Sequence, residues 1–319
     1  MTDITSRLRD LFGERLTLNE PLSMHTNFRI GGPARWFVEA KTELEIMEAV
    51  RLARAADMPY VVLGGGSNVL VADRGCEALV VKVALRSFSI EGMRVIADAG
   101  VMSAALARAT AHAGLAGFEW AISLPGTIGG AVRGNAGCFG REMKDVVTTV
   151  RLLRDGQVVD APASRLAFGY RMSVFKRTDD VILQATLHLE SGNAVDLRKS
   201  MAEQLTRRKA EQPMNVGSAG CIFKNYLIVS DKEAARLAPE IPEPMLRARR
   251  VSAGWLIEQA DVKGKKIGRA QVSPVHGNFI VNLGGAKADE VVQLIAFVKT
   301  RVRDRLGIQL QEEIHYLGF

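Results

Sequence analysis

Between Ala34 and Ala40 the chain reads A-R-W-F-V-E-A, apolar and polar positions alternating with the two-residue period of a strand. Thr42-Glu43-Leu44-Glu45 then has the form of a helix start, a threonine cap followed three residues later by a glutamate, each satisfying a backbone donor. Apolar Leu44, Met47, Val50, Leu52 and Ala55 roughly follow the helical period as far as Met58-Pro59. Residues 60–63 form an apolar run that reads as a strand. Glycines 64–66 break it, residues 69–71 resume it, and residues 78–83 supply another. This first stretch predicts a compact β-α-β-β unit.

Further along, residues 102–115 read as an alanine-rich helix ending near Gly114, and residues 118–140 are dense in glycine. Residues 146–159 predict a hairpin turned on Asp155-Gly156. A strand follows at 181–189, then a charged helix at 195–211 that Pro213 stops, making a natural boundary. The last third predicts a helix at 252–260, a strand at 279–283, a helix at 289–306 and a strand at 310–317. In the long helix Val291, Ile295, Val298 and Val302 make one apolar stripe, the mark of a core face. There are no repeats. The pattern is α+β, in two or three parts.

Composition narrows the chemistry. At 319 residues and 47% hydrophobic the chain can bury a sizeable core, and no apolar run reaches the length of a membrane span. The N-terminal residues lack the order of a signal peptide, so a cytoplasmic protein is expected. Three scattered cysteines argue against disulfides, and five scattered histidines argue against a metal site. The net charge of +7 is dispersed, without an aromatic platform for bases, which favours a small polyanionic ligand over nucleic acid.

Two glycine loops carry the first functional signal. V-V-L-G-G-G-S-N-V-L-V (61–71) lets successive backbone N–H groups converge on an anion, but the chain returns to a strand, unlike a Rossmann or P-loop turn. S-L-P-G-T-I-G-G-A-V-R-G-N-A-G (123–137) holds five glycines, with Thr127 and Asn135 as hydrogen-bonding groups. So much chain entropy is rarely given up for a plain connection. Together the loops suggest an extended ligand with a diphosphate and a flat ring, a flavin dinucleotide.

The chain also resembles a known family, the UDP-N-acetylenolpyruvoylglucosamine reductases of bacterial cell-wall synthesis. The likeness lies in T-N-F-R-I-G-G (26–32), the first glycine loop, G-F-E-W-A-I-S through the second (117–137), F-G-Y-R-M-S-V-F-K (168–176), S-A-G-C-I-F-K-N (218–225), residues 254–273, H-G-N-F-I-V-N (276–282) and L-Q-E-E-I-H-Y-L-G (310–318). The resemblance implies a vanillyl-alcohol-oxidase/PCMH-type FAD-binding fold. Its parts would be two FAD-binding α+β subdomains (1–84 and 85–212) and a C-terminal substrate-binding domain (213–319). It also implies non-covalent FAD, NADPH as hydride donor, UDP-N-acetylglucosamine enolpyruvate as substrate and a monomeric enzyme without nucleic-acid or membrane partners. His25 is not expected to bond FAD covalently.

In the implied reaction a hydride reaches the terminal carbon of an enol ether, and charge builds on the other carbon and its carboxylate. Arg171, whose guanidinium is always charged, is then matched to that carboxylate. Glu313 matches the family's catalytic glutamate, with Glu312 as a register alternative. Cys221 stands at the proton-donor position, usually serine. A thiol of pKa about 8.5 is mostly protonated at neutral pH yet gives up its proton readily.

The implied cofactor-binding set is Asn27, Gly64, Gly65, Gly66, Ser67, Asn68, Pro125, Gly126, Thr127, Gly129, Gly130, Asn135 and Gly137. Tyr170, Lys176, Lys224 and Asn225 are expected to meet substrate; Cys138 is expected near the flavin and Cys76 in a structural role. Residues 226–250, with three prolines, look like an insertion into the family pattern and predict a partly ordered surface excursion. A flavin oxidase of the same fold and a non-catalytic nucleotide-binding protein are the alternatives.

Overall fold

The computed structural model describes residues 4–319. The chain separates into two compact units. The first takes residues 4–20, 34–66 and 77–208, so most of both expected FAD-binding spans falls within it. The second takes residues 21–33, 67–76 and 209–319.

The first unit is built on two sheets. A four-stranded sheet has the order Leu16–Pro21, Pro33–Ala40, Cys76–Val83, Tyr60–Leu63. Its last pair is parallel, with Tyr60 opposite Leu79 and Leu63 opposite Lys82. The helix Glu43–Ala55 connects Pro33–Ala40 to Tyr60–Leu63. As expected, Thr42 Oγ1 accepts the Glu45 N–H (3.1 Å), while the Glu45 carboxylate accepts the Lys41 N–H (2.7 Å) and pairs with Arg15 at 2.6 Å. Such a cap contributes about 1 kcal/mol.

A five-stranded antiparallel sheet has the order Gln157–Pro162, Val147–Arg154, Val181–His188, Arg94–Asp98, Phe88–Glu91. Its first hairpin turns on Asp155 (φ 49°) and Gly156 (φ 80°), the left-handed pair of a type I′ turn. The sheet and the helices Glu43–Ala55 and Ser103–His112 enclose one core that includes Val150, Leu183, Leu106 and the fully buried Trp120. The opening helix Ile4–Phe12 and the hairpin Phe88–Glu91/Arg94–Asp98 are elements the sequence pattern did not signal.

In the second unit the helix Ala288–Leu306 turns Val291, Ile295, Val298 and Val302 into the core, as its stripe predicts, and stops at left-handed Gly307. A small antiparallel sheet, Lys266–Ile267, Ala270–Val272 and Ile280–Asn282, accompanies it.

Four expectations need correction. Residues 69–71 do not complete a β-α-β-β unit; Val69–Val71 pairs in parallel with His315–Leu317, a partner too distant in sequence for local periodicity to show. The strand expected over 310–317 is regular only from His315 to Leu317, because residues before it are held by single bridges such as Phe223 with Glu312. The second glycine loop contains a helix, Ile128–Gly134, opened by the Ala131 N–H to Thr127 carbonyl bond (2.9 Å) and closed by Asn135 in the left-handed conformation. Finally, the insertion is folded: Tyr226–Leu227 pairs with Arg250–Val251, and between them lie helices Asp231–Leu237 and Glu243–Arg247. Leu237 and Ile241 are buried in the second core.

Candidate active site

In the first unit the two glycine loops touch backbone to backbone. A methyl group at Gly65 would stand 2.6 Å from the Gly126 Cα, and one at Gly64 would stand 2.6 Å from Thr127 Oγ1. Side chains do not approach that closely, so the residue type is fixed by the packing. Gly129 is fixed likewise: its N–H donates to the Ala99 carbonyl (2.9 Å), and a Cβ would meet that of Ala99 at 2.8 Å.

Thr127 is buried, and its hydroxyl has no hydrogen-bond partner. An unpaired buried hydroxyl costs about 1–3 kcal/mol, which a ligand atom accepting or donating there would recover. An orphaned hydroxyl where two glycine loops meet, with backbone N–H groups on both, fits a dinucleotide such as FAD.

Asn135 is occupied otherwise. Its amide donates to Glu142 Oε2 and to the Gly169 carbonyl, both at 2.8 Å, and accepts the Lys144 N–H at 2.9 Å. It therefore ties the end of the glycine-rich helix to the turn that carries Tyr170 and Arg171.

That turn is tight, with reciprocal Gly169–Met172 backbone bonds of 3.0 and 3.1 Å. It places Arg171 at φ 54°, a left-handed conformation that costs a side-chain-bearing residue roughly 1–2 kcal/mol. The guanidinium donates to the Gly137 carbonyl (2.9 Å) and lies 5.4 Å from the Tyr170 ring centroid. Lys176 donates its ammonium to the Arg171 carbonyl (2.9 Å), tying the side chain to the strained turn. Cys138 sits nearby, its thiol pushed up by burial despite the hydroxyl of Ser123 at 3.5 Å.

The second unit gathers Cys221 and Glu313. Ser218 donates its N–H to the Asn27 carbonyl (3.1 Å), and Gly217 lies so close to Phe28 that a Cβ would meet its carbonyl oxygen at 2.6 Å. Gly220 (φ 75°) turns the chain, after which Cys221 bridges to Phe279. On the other side the Glu313 N–H donates to the Ile222 carbonyl at 2.7 Å, and the Lys224 N–H to the Gln311 carbonyl at 2.8 Å. The segment of the thiol thus runs directly beside the segment of the glutamate.

Asn68 secures the glutamate segment: its Nδ2 donates to the Glu313 carbonyl (3.0 Å), and its own carbonyl accepts the His315 N–H (3.0 Å). Asn225 Oδ1 accepts the Ala253 N–H (3.1 Å), holding the start of the helix Ala253–Gln259.

The register alternative is already engaged. Glu312 accepts from Lys299 Nζ (2.6 Å) and from the Tyr316 hydroxyl (2.7 Å). Burial alone would raise its pKa, but these two bonds outweigh it and hold the carboxyl below the usual range.

Sequence reasoning missed Asn278. Its one signal is an amide inside the apolar run N-F-I-V, at a position that proves almost fully buried, with 3% exposed.

Comparison with known proteins shows the family. The profile of the UDP-N-acetylenolpyruvoylglucosamine reductase C-terminal domain matches residues 212–317, and that of an FAD binding domain matches residues 34–162. The reductase of that name from Alkaliphilus oremlandii is 37% identical, over 94% of this chain and 93% of its own. Its counterpart from Solibacter usitatus is 37% identical over 98% of this chain and all of its own. The crystal structure of the Thermus caldophilus reductase superposes with a TM-score of 0.76 at 33% identity, covering 95% of this chain and 99% of that one. The α+β FAD-binding class expected from the sequence is therefore the class observed, and the chain is an FAD oxidoreductase belonging to the UDP-N-acetylenolpyruvoylglucosamine reductase family.

Proposed function

We propose that this protein uses NADPH to reduce the enolpyruvyl C=C bond of UDP-N-acetylglucosamine enolpyruvate, giving UDP-N-acetylmuramate for peptidoglycan precursor synthesis. The observation that carries this reading is the side-by-side course of the Cys221 and Glu313 segments, joined by the Glu313 N–H to Ile222 carbonyl bond of 2.7 Å. Gly64, Gly65, Gly126 and Thr127 would hold FAD, which when bound supplies the hydride.

The chain's own groups supply the rest. Arg171 binds the substrate carboxylate, where its fixed charge stabilises the electron density that builds during reduction. Its turn is held in one conformation by Lys176 and by the Gly169–Met172 bonds, so little ordering remains to be done when substrate arrives. Cys221 Sγ gives its proton to the carbon next to that carboxylate, completing the saturated ether. Glu313 acts as the accompanying carboxylate, orienting the reacting end of the substrate and its proton. Lys224 is assigned to the substrate's diphosphate or carboxylate, and Tyr170 to the substrate beside Arg171.

The test is anaerobic. The holoenzyme is reduced with NADPH, the enolpyruvyl sugar nucleotide is added, and the flavin absorbance is followed. Rapid return of colour supports the reductase. Fast reoxidation by oxygen with none by the enol substrate would instead identify an oxidase of the same fold.

A further inference from the structure

We infer that Asn278 is a positioning residue that fixes the separation of Cys221 from Glu313. It touches neither reacting group; it acts through the strip between them, residues 222–223. Its Oδ1 accepts the Phe223 N–H (2.9 Å), its Nδ2 donates to the Phe223 carbonyl (2.8 Å), and its own carbonyl accepts the Ile222 N–H (2.8 Å). A single asparagine thus makes three bonds to two consecutive residues of the strip. On its opposite edge the same strip receives the Glu313 N–H at the Ile222 carbonyl (2.7 Å). On the near side the residue after Asn278, Phe279, bridges Cys221 itself.

The side chain is almost fully buried, at 3% exposure, and both of its amide heavy atoms are paired within the protein, so a ligand-binding role is not what it offers. Nor does the fold need an amide there on general grounds. A buried polar group contributes little net stability over a well-packed apolar one, yet it specifies a single register, because an alternative leaves it unpaired. The register specified here sets the Cys221 and Glu313 backbones against each other.

Asn278 is itself anchored. Its N–H donates to His276 Nδ1 (3.1 Å), and the His276 ring meets the Phe279 ring edge-on with centroids 4.9 Å apart. The chain from His276 to Phe279 forms a stiff bracket around the strip that bears the thiol.

This inference rests on the reading of Cys221 and Glu313 as the reacting groups, and its test separates the two. Asn278→Ala removes every side-chain bond, whereas Asn278→Asp keeps an acceptor for the Phe223 N–H and keeps the bond to the Phe223 carbonyl only as the protonated acid. Both are compared with the parent as FAD-loaded holoenzyme. Flavin reduction by NADPH, which needs neither Cys221 nor Glu313, is expected to stay at the parent rate. Reoxidation by the enolpyruvyl substrate is expected to fall about 100-fold in Asn278→Ala, the cost of a misplacement near 1 Å, and less in Asn278→Asp at mildly acidic pH, where the buried acid stays protonated and keeps both bonds. The loss is expected in the limiting rate, not in the substrate concentration giving half of it.

A substrate-free arm follows alkylation of Cys221 by iodoacetamide, resolved from Cys76 and Cys138 by peptide mass. Faster labelling of Cys221 alone is expected in Asn278→Ala, and if that variant does not fold, Asn278→Asp carries both arms. Equal losses in the two half-reactions, or parent-like Cys221 labelling and reoxidation in the folded variants, would overturn the inference. If the parent itself is not reoxidised by the enol substrate, the reductase reading fails, while the labelling arm still decides the role of Asn278.

Discussion

Two side chains carry the proposed chemistry in ways that substitution can separate. A positioned acid contributes about 10²–10⁴ in rate, so Cys221→Ala is expected to slow substrate-driven reoxidation of the flavin by at least ~100-fold. Cys221→Ser keeps an ionisable O–H in the same place and is expected to retain much of the parent rate. Stopped-flow absorbance on both variants, with NADPH-driven reduction as the internal control, distinguishes proton donation from packing; equal rates in parent and Cys221→Ala would reject the donor role. Arg171 differs in kind, because its value lies in a fixed planar charge. Lysine at this position keeps the charge but loses the two-pronged geometry and the Gly137 contact of 2.9 Å. Arg171→Lys is therefore expected to lower kcat/KM for the enolpyruvyl substrate by about 10- to 100-fold, the worth of one charged hydrogen bond, while leaving kcat/KM for NADPH unchanged. Steady-state kinetics in both substrates checks it.

At the scale of elements, the glycine loops were legible as a ligand cradle but not as a shape. Gly65→Ala drives a methyl group to 2.6 Å from the Gly126 backbone, so the loops must part; the purified variant is expected to hold less FAD, read as the ratio of flavin to protein absorbance. Gly134 provides the contrast. It lies in the helix Ile128–Gly134 with nothing within 4 Å of an added Cβ, so Gly134→Ala is expected to raise thermal stability by up to ~1 kcal/mol through helix propensity. That helix was hidden from sequence reading because three of its seven residues are glycine, and its stability comes from burying Ile128, Ala131 and Val132. The Asp155-Gly156 hairpin and the capped helix after Thr42 were readable because their signals are local. Val69–Val71 was misread for the converse reason. Its strand character is local, but its partner His315–Leu317 is at the other end of the chain. The same holds for the site: residue types at Arg171, Cys221 and Glu313 could be read from motifs, whereas the bonds of Asn278 that order two of those motifs belong to tertiary structure.

For the molecule as a whole, several buried or half-buried groups bear on its response to acid, and they act in the same direction. In the first unit the Arg154 guanidinium, 2.7 Å away, holds the Asp180 carboxyl below its ordinary pKa, and the Arg15 bond does the same for Glu45. In the second, Lys299 and Tyr316 hold Glu312 low against the effect of burial, and burial pushes the His276 imidazole down. Each folded pKa is thus below its unfolded value, so the unfolded chain binds more protons and stability must fall as pH falls. The two residue types do so in different windows. His276 begins to cost stability as pH drops below its unfolded value near 6.5, because a buried imidazole with Nδ1 accepting the Asn278 N–H cannot take a proton there without losing that bond. The carboxylates act only near and below pH ~4, where their unfolded counterparts protonate. Thermal scans at stepped pH are therefore expected to show a shallow decline in melting temperature from about pH 6.5 to 5 and a steeper one below about pH 4.5. In His276→Asn the side-chain oxygen can still accept the Asn278 N–H but does not titrate. That variant is expected to lose the upper decline and keep the lower one, while persistence of the upper decline would place the responsible proton elsewhere.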